Sequence, residues 1–152
     1  MHYVLKAMTS NKLIVVSCGV KKQTTAQRAD KMYLGNYHFN CLNYARSIAE
    51  PEDIRILSAK YGLLRLNQIV MPYNLTMGDP GCITVEQLKQ QAVEQNLTSK
   101  TDVRIVAGLA YAKLVLGVWT EAEWLMKDKG RMGYQKNWLI TQTKLNRSKQ
   151  HE

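Results

Sequence analysis

Cysteine and histidine are both scarce in this chain. Cys18, Cys41 and Cys82 are odd in number and widely spaced, so they make neither a disulfide framework nor a metal pair, and they suit a reducing compartment. His2, His38 and His151 stand apart from one another and from any cysteine or carboxylate at ligand spacing, which leaves zinc without support. Glu121 and Glu123 do not pair convincingly with another carboxylate, so two-metal nuclease chemistry has no basis. No apolar run approaches the roughly 18 residues of a membrane span. The start, Met1 to Lys6, lacks a charged leader followed by a long apolar segment, so a cytoplasmic location is expected and no membrane partner. Internal repeats are also missing.

Acidic residues are in short supply as well. Twelve Asp and Glu face 21 Lys and Arg, a net charge of +9 over 152 residues. The excess is concentrated late: between Lys127 and Lys149 there are seven basic residues and one acid, Asp128. Such a surface attracts polyanions, and DNA, RNA or a phosphorylated nucleotide are the expected partners. A solubility role for the charge is the bland alternative. The length suits a single domain over residues 1–152, with residues 127–152 as a basic C-terminal segment.

What is plentiful is a set of short apolar runs that end in polar residues. Leu13 to Val16 runs into Ser17-Cys18-Gly19, with Lys21 and Lys22 close behind. Ile54, Ile56 and Leu57 run into Ser58-Ala59-Lys60-Tyr61-Gly62, and Val103 to Val106 into Ala107-Gly108. Each run reads as a buried strand. Helical patterns fall between them: a stretch from Ala26 interrupted at Gly35-Asn36, then a stripe of Phe39, Leu42, Ala45 and Ala49. Thr84 and Gln87 form a capping box for a helix carrying Val85, Leu88 and Ala92, and Leu109 to Val118 reads as another helix. Tyr3-Val4-Leu5 could add an edge strand, and Gln68-Ile69-Val70 a short one. Glu121 to Lys127 reads as helical, Lys129 to Lys136 as a basic loop, and residues 137–141 as strand or helix before a frayed tail. The alternation predicts an α/β fold: a three-layer domain with a mostly parallel central sheet.

In such sheets ligands bind outside the carboxyl ends of the strands. Ser17, Cys18 and Lys22 therefore face the same edge as Ser58, Lys60 and Tyr61. Gly19 lets backbone amides approach an anion, although the spacing is not that of a Walker loop. Cys18 is either a small buried hydrophobe or a nucleophile that lacks an assignable histidine. Lys60 can neutralise a phosphate or, if desolvated, act as a base; the alternative is a solvated turn lysine. Tyr61 and Tyr73 are candidates to stack a base, with Pro72-Tyr73 as either an aromatic wall or a structural corner. Asp30 and Tyr33 are one helical turn apart; Asp30 would orient Lys60 or assist proton transfer, unless it is a surface carboxylate or cap. Gly108 opens a helix whose positive end can face the crevice, or it serves close packing. Lys129, Arg131, Tyr134 and Lys136 would hold a nucleic-acid backbone while Tyr134 stacks. Trp138 reads as a core anchor rather than a platform.

Taken in order, these segments resemble the DUF6884 family of small bacterial and phage proteins, and remotely the YaaA-like proteins. The resemblance rests on Ser17-Cys18-Gly19 with Lys22, Ala29 to Gly35, Leu57 to Leu64, Pro72-Tyr73, Ala107-Gly108 with Tyr111, and Met132-Gly133 through Trp138-Leu139. It spans residues 12–140 and implies an α/β domain whose segments share a polar cluster, with no established reaction. The YaaA-like proteins are linked to peroxide stress and look like DNA-binding proteins, so distant kinship implies DNA affinity. The expected function is an enzyme acting on a nucleotide or a nucleic-acid base, by N-glycosidic cleavage or base exchange and without a cofactor. Lys22 and Lys60 would hold phosphate or sugar oxygens. A non-catalytic nucleic-acid-binding protein is the alternative, and a phage inhibitor that binds a host protein is the third.

Overall fold

The computed structural model describes residues 10–150, so the suggested strand at Tyr3–Leu5 lies outside the described residues. A five-stranded sheet runs through the middle. Its strands are β1 (Lys12–Ser17), β3 (Ile54–Ser58), β4 (Gly62–Leu64), β6 (Asp102–Val106) and β7 (Glu123–Trp124), in the order β4-β3-β1-β6-β7. β1 pairs in parallel with β3 and β6, β6 in parallel with β7, and β4 folds back antiparallel on β3. A separate antiparallel ribbon joins β2 (Gln27–Arg28) to β5 (Ile69–Val70).

Side chains two apart on a strand share a face, and here both faces are buried. Ile14, Val16, Ile54 and Ile56 pack toward α2 (Asn36–Ile48) and α5 (Met132–Gln150), where they meet Cys41, Leu42, Ala45 and Leu139. Leu13, Val15, Leu57 and Ile105 pack toward α3 (Val85–Glu94) and α4 (Leu109–Val118), against Leu88, Ala92, Ala112 and Val115. The result is a three-layer α/β fold with a largely parallel sheet. Each such fully buried aliphatic side chain contributes about 1.5–3 kcal/mol through lost water contact. The capping box of Thr84 and Gln87 starts α3: the Gln87 amide donates to Thr84 Oγ1, and the Thr84 amide donates to Gln87 Oε1.

Several expectations need correction. The helix expected from Ala26 is the ribbon strand β2 followed by one turn, α1 (Ala29–Met32). Leu42 and Ala45 of the expected stripe are buried, but Phe39 is exposed, and His38 and Cys41 complete the buried face of α2. Residues 121–127 carry the edge strand β7 instead of a helix. Residues 129–131 are a loop as expected, but from Met132 the rest of the expected loop and the tail through Gln150 form one 19-residue helix, α5. That helix is anchored, since Leu139 and Thr143 are buried and Asn146 and Gln150 donate to Ser47.

Candidate functional site

The carboxyl ends of β1, β3 and β6 lie side by side, because Val16 pairs with both Ile56 and Val106. The chain leaving each strand delivers the polar groups anticipated from sequence. Ser58 is fully buried at the end of β3. Its Oγ accepts the backbone amides of Lys60 (3.1 Å) and Tyr61 (2.9 Å), which forms the turn, and donates to Tyr73 Oη at 2.7 Å. Tyr73 Oη lies 2.8 Å from Tyr33 Oη. Either phenol can donate in that contact, so Ser58, Tyr73 and Tyr33 form one connected chain of hydroxyls. Cys18 Sγ is 3.3 Å from Tyr111 Oη, on the first turn of α4 beyond Gly108.

Charge sits on the outer side of this cluster. A bridge between Lys22 and Tyr33 carries Lys22 to the cluster, and its ammonium lies 4.3 Å from the centre of the Tyr73 ring. The exposed Lys60 ammonium stands 5.3 Å from the Tyr61 ring, and Tyr61 meets Tyr73 edge-on at 5.4 Å. Burial pushes the Tyr33 hydroxyl up to about 12, and it raises Tyr73 and Tyr111 as well. At neutral pH these phenols are therefore protonated donors and relays, not bases.

The turn that presents Lys60 and Tyr61 is fixed from behind. Gly62 has φ +77°, a region costly for other residues, and a β-carbon there would collide with the Gln91 side chain. That amide cannot retreat freely: Gln91 Oε1 accepts from the Leu63 amide at 2.8 Å and Nε2 donates to the Tyr61 carbonyl at 2.9 Å. Gln91 escaped notice in the sequence because glutamine on an exposed helix face is unremarkable.

His38 also went unrecognised. Its Nδ1 lies 2.6 Å from the Ser17 carbonyl, an acceptor, so Nδ1 carries the proton. Nε2 is then a bare lone pair, buried with no partner among the described residues. The ring packs against Tyr33 at 5.3 Å, and burial lowers its pKa, so it is neutral. The signal was available in the helix register, since His38 shares the buried stripe with Cys41, Leu42 and Ala45.

Ser17, Cys18, Lys22, Tyr33, Ser58, Lys60, Tyr61, Tyr73 and Gly108 thus belong to one strand-end region, although Ser17 points inward to Cys41. Asp30 does not join their contacts. Because α1 ends at Met32 and Tyr33 is extended, the two residues do not share a helical face. Both Asp30 oxygens accept from Arg28 at 3.0 Å, and one also accepts from Arg46 at 3.0 Å. Asp30 is therefore held by arginines and not by Lys60. Burial raises its carboxyl, but the Arg28 hydrogen bonds and the charges of Arg28 and Arg46 outweigh this and hold it below the usual range.

Farther off, Arg131, Tyr134 and Lys136 line one open depression where α5 begins, and Tyr134 is 70% exposed. Lys129 instead stands over Trp138, 4.8 Å from the ring centre, and Trp138 packs half-buried on Tyr44. Among the described residues no three His, Cys, Asp or Glu side chains gather to hold a metal ion. No helix among them is long and apolar enough to cross a membrane.

A three-layer α/β fold with hydroxyl, thiol, aromatic and ammonium groups at the carboxyl edge of its parallel strands defines the class of protein. Within that class the chain belongs to DUF6884, a family of unknown function, whose model matches residues 13–141. No curated protein matches the chain.

Proposed function

We propose that the carboxyl-edge cluster binds a nucleotide or a nucleic-acid base and that the protein processes it at the N-glycosidic bond, by cleavage or base exchange. The observation carrying this reading is the convergence of Tyr33, Ser58 and Tyr73 in one hydroxyl chain with the Lys22 ammonium on the Tyr73 ring. Half-buried tyrosine faces suit a stacked base, and Lys22 and Lys60 suit phosphate or sugar oxygens. The hydroxyl chain suits passage of a proton to a departing base. Asp30 is given no part in that step, because its carboxylate is committed to Arg28 and Arg46. A base within a duplex must first be extruded.

The test is release of free base, followed chromatographically, from nucleosides, nucleotides and single- and double-stranded oligonucleotides. Wild-type turnover that Lys60→Ala and Tyr73→Phe each reduce at least tenfold supports the reading. No release from any substrate defeats the catalytic part of it.

A second reading, a non-catalytic nucleic-acid-binding protein, draws on the depression of Arg131, Tyr134 and Lys136 on a basic helix. A remote YaaA-like kinship, which would imply DNA affinity, is part of this second proposal. It predicts salt-sensitive binding that Arg131→Ala weakens and Tyr73→Phe leaves alone.

A further inference from the structure

The far end of β3 carries charge of another kind. Arg55 lies near the amino end of that strand, and Arg65 follows β4 one step beyond the last paired rung, Ile56 with Leu64. Arg28, Asp30, Arg46 and Glu52 join them around a cavity of about 300 Å³. Four guanidinium groups there face two carboxylates, an excess of two positive charges. Asp30 is already shared between Arg28 and Arg46, and its side chain is only 4% exposed.

Arg55 is the unusual member, being 2% exposed. Its Nε donates to Gln95 Oε1 at 2.7 Å, and one terminal nitrogen donates to the carbonyls of Glu52 (2.9 Å) and Ile54 (3.0 Å). All three acceptors are neutral, so they fix the plane of the fork without balancing its charge. Among the described residues neither Arg55 nor Arg65 has a carboxylate within ion-pair distance. Burial and the nearby Arg65, opposed by the charge of Asp53, lower the Arg55 pKa to about 10, which still leaves it charged at neutral pH. A buried, oriented guanidinium with no ion-pair partner in contact is costly unless an anion completes it.

We propose that this cavity is a second site, separate from the carboxyl-edge cluster, that binds a dianionic phosphate group. Planar guanidinium forks match phosphate oxygens two at a time, and a charge of −2 balances the excess. The phosphate comes either as the free ion or as the end of a small phosphomonoester, and the chemistry at the arginines is common to both. This inference does not depend on the nucleotide reading of the other edge.

Isothermal titration of the full chain at low ionic strength, with inorganic phosphate and with glycerol 3-phosphate as probes, tests it. One saturable site is expected, weakened at least tenfold by the exposed substitutions Arg65→Ala and Arg46→Ala and unchanged by Lys89→Ala on the exposed face of α3. Circular dichroism checks that each variant is folded, and Arg65→Ala leaves the buried Arg55 network intact. Glycerol 3-phosphate binding more tightly than phosphate identifies a phosphomonoester, and equal affinities identify the ion. The proposal is overturned by no saturable binding of either probe, by Arg65→Ala binding like wild type, or by Lys89→Ala abolishing the signal.

Discussion

The two ends of strand β3 solve different problems with different chemistry. At its carboxyl end, Ser58 is tied to protonated phenols, and positive charge comes from lysines lying over aromatic rings. Toward its amino end, Arg55 belongs to a set of arginines, one of them locked by side-chain and backbone acceptors, around a shared carboxylate. The first arrangement has adaptable charge around an aromatic, hydrogen-bonding surface, which suits a base with a sugar attached. The second has rigid charge and little aromatic surface, which suits a small anion. A strand rises about 3.3 Å per residue, so the three steps from Arg55 to Ser58 keep the two regions about 10 Å apart along it.

Substitutions can break this division, and the largest effect is expected at Gly62. Gly62→Ala combines positive φ with displacement of the Gln91 amide, and a loss of about 3 kcal/mol in urea denaturation is expected. Nucleoside binding at the carboxyl edge should go with it, while phosphate binding at the arginines survives.

Next comes Asp30→Asn, which leaves Arg28 and Arg46 without their shared anion. The folded-state pKa of Asp30 is depressed, so its contribution is present above the unfolded value of about 3.9 and is lost as pH falls through the folded one. The variant should therefore be less stable than wild type at pH 7, with the gap closing in acid.

His38 gives a pH dependence on the other side of the comparison. Its folded pKa is also depressed, so below about pH 6.5 the unfolded chain takes a proton that the folded chain refuses. Stability should fall on acidification by at most about 1.4 kcal/mol per pH unit, and His38→Gln should flatten that slope. An unchanged slope would show that the bare Nε2 is not where the proton is refused. The smallest effect is expected from Tyr73→Phe, which removes the middle hydroxyl of the chain at a cost of about 1 kcal/mol, read by thermal denaturation, and should not touch the arginine cavity.

The sequence revealed these regions unequally, for physical reasons. The strands were legible because both faces of the sheet are covered, so their apolar runs are unbroken and their polar ends abrupt. The carboxyl-edge residues were legible for the same reason: parallel strands deliver their exits to one place. The three-residue spacing of Asp30 and Tyr33 predicts one helical face, whereas the chain extends at Tyr33 and sends Asp30 to Arg28 and Arg46 and Tyr33 to Tyr73. On α2 the apolar stripe correctly marks Leu42 and Ala45, but Phe39 faces out while His38 takes a buried position, where its ring meets the Ser17 carbonyl and the Tyr33 ring. The arginine cavity was invisible. Arg28, Arg46, Arg55 and Arg65 come from four separate segments with no shared spacing, and Arg55 interrupts a strand whose neighbours are all apolar. The anchoring of α5 was missed because its charged residues mask a narrow buried face, Leu139 and Thr143.

The most direct measurement is amide and side-chain NMR mapping with nucleosides that carry no phosphate, compared with their 5′-monophosphates. The nucleosides are expected to shift resonances of Cys18, Lys22, Ser58, Lys60, Tyr61 and Tyr73 while leaving Arg55 and Arg65 unmoved. No response of the carboxyl-edge cluster to any nucleoside or nucleotide would contradict the account.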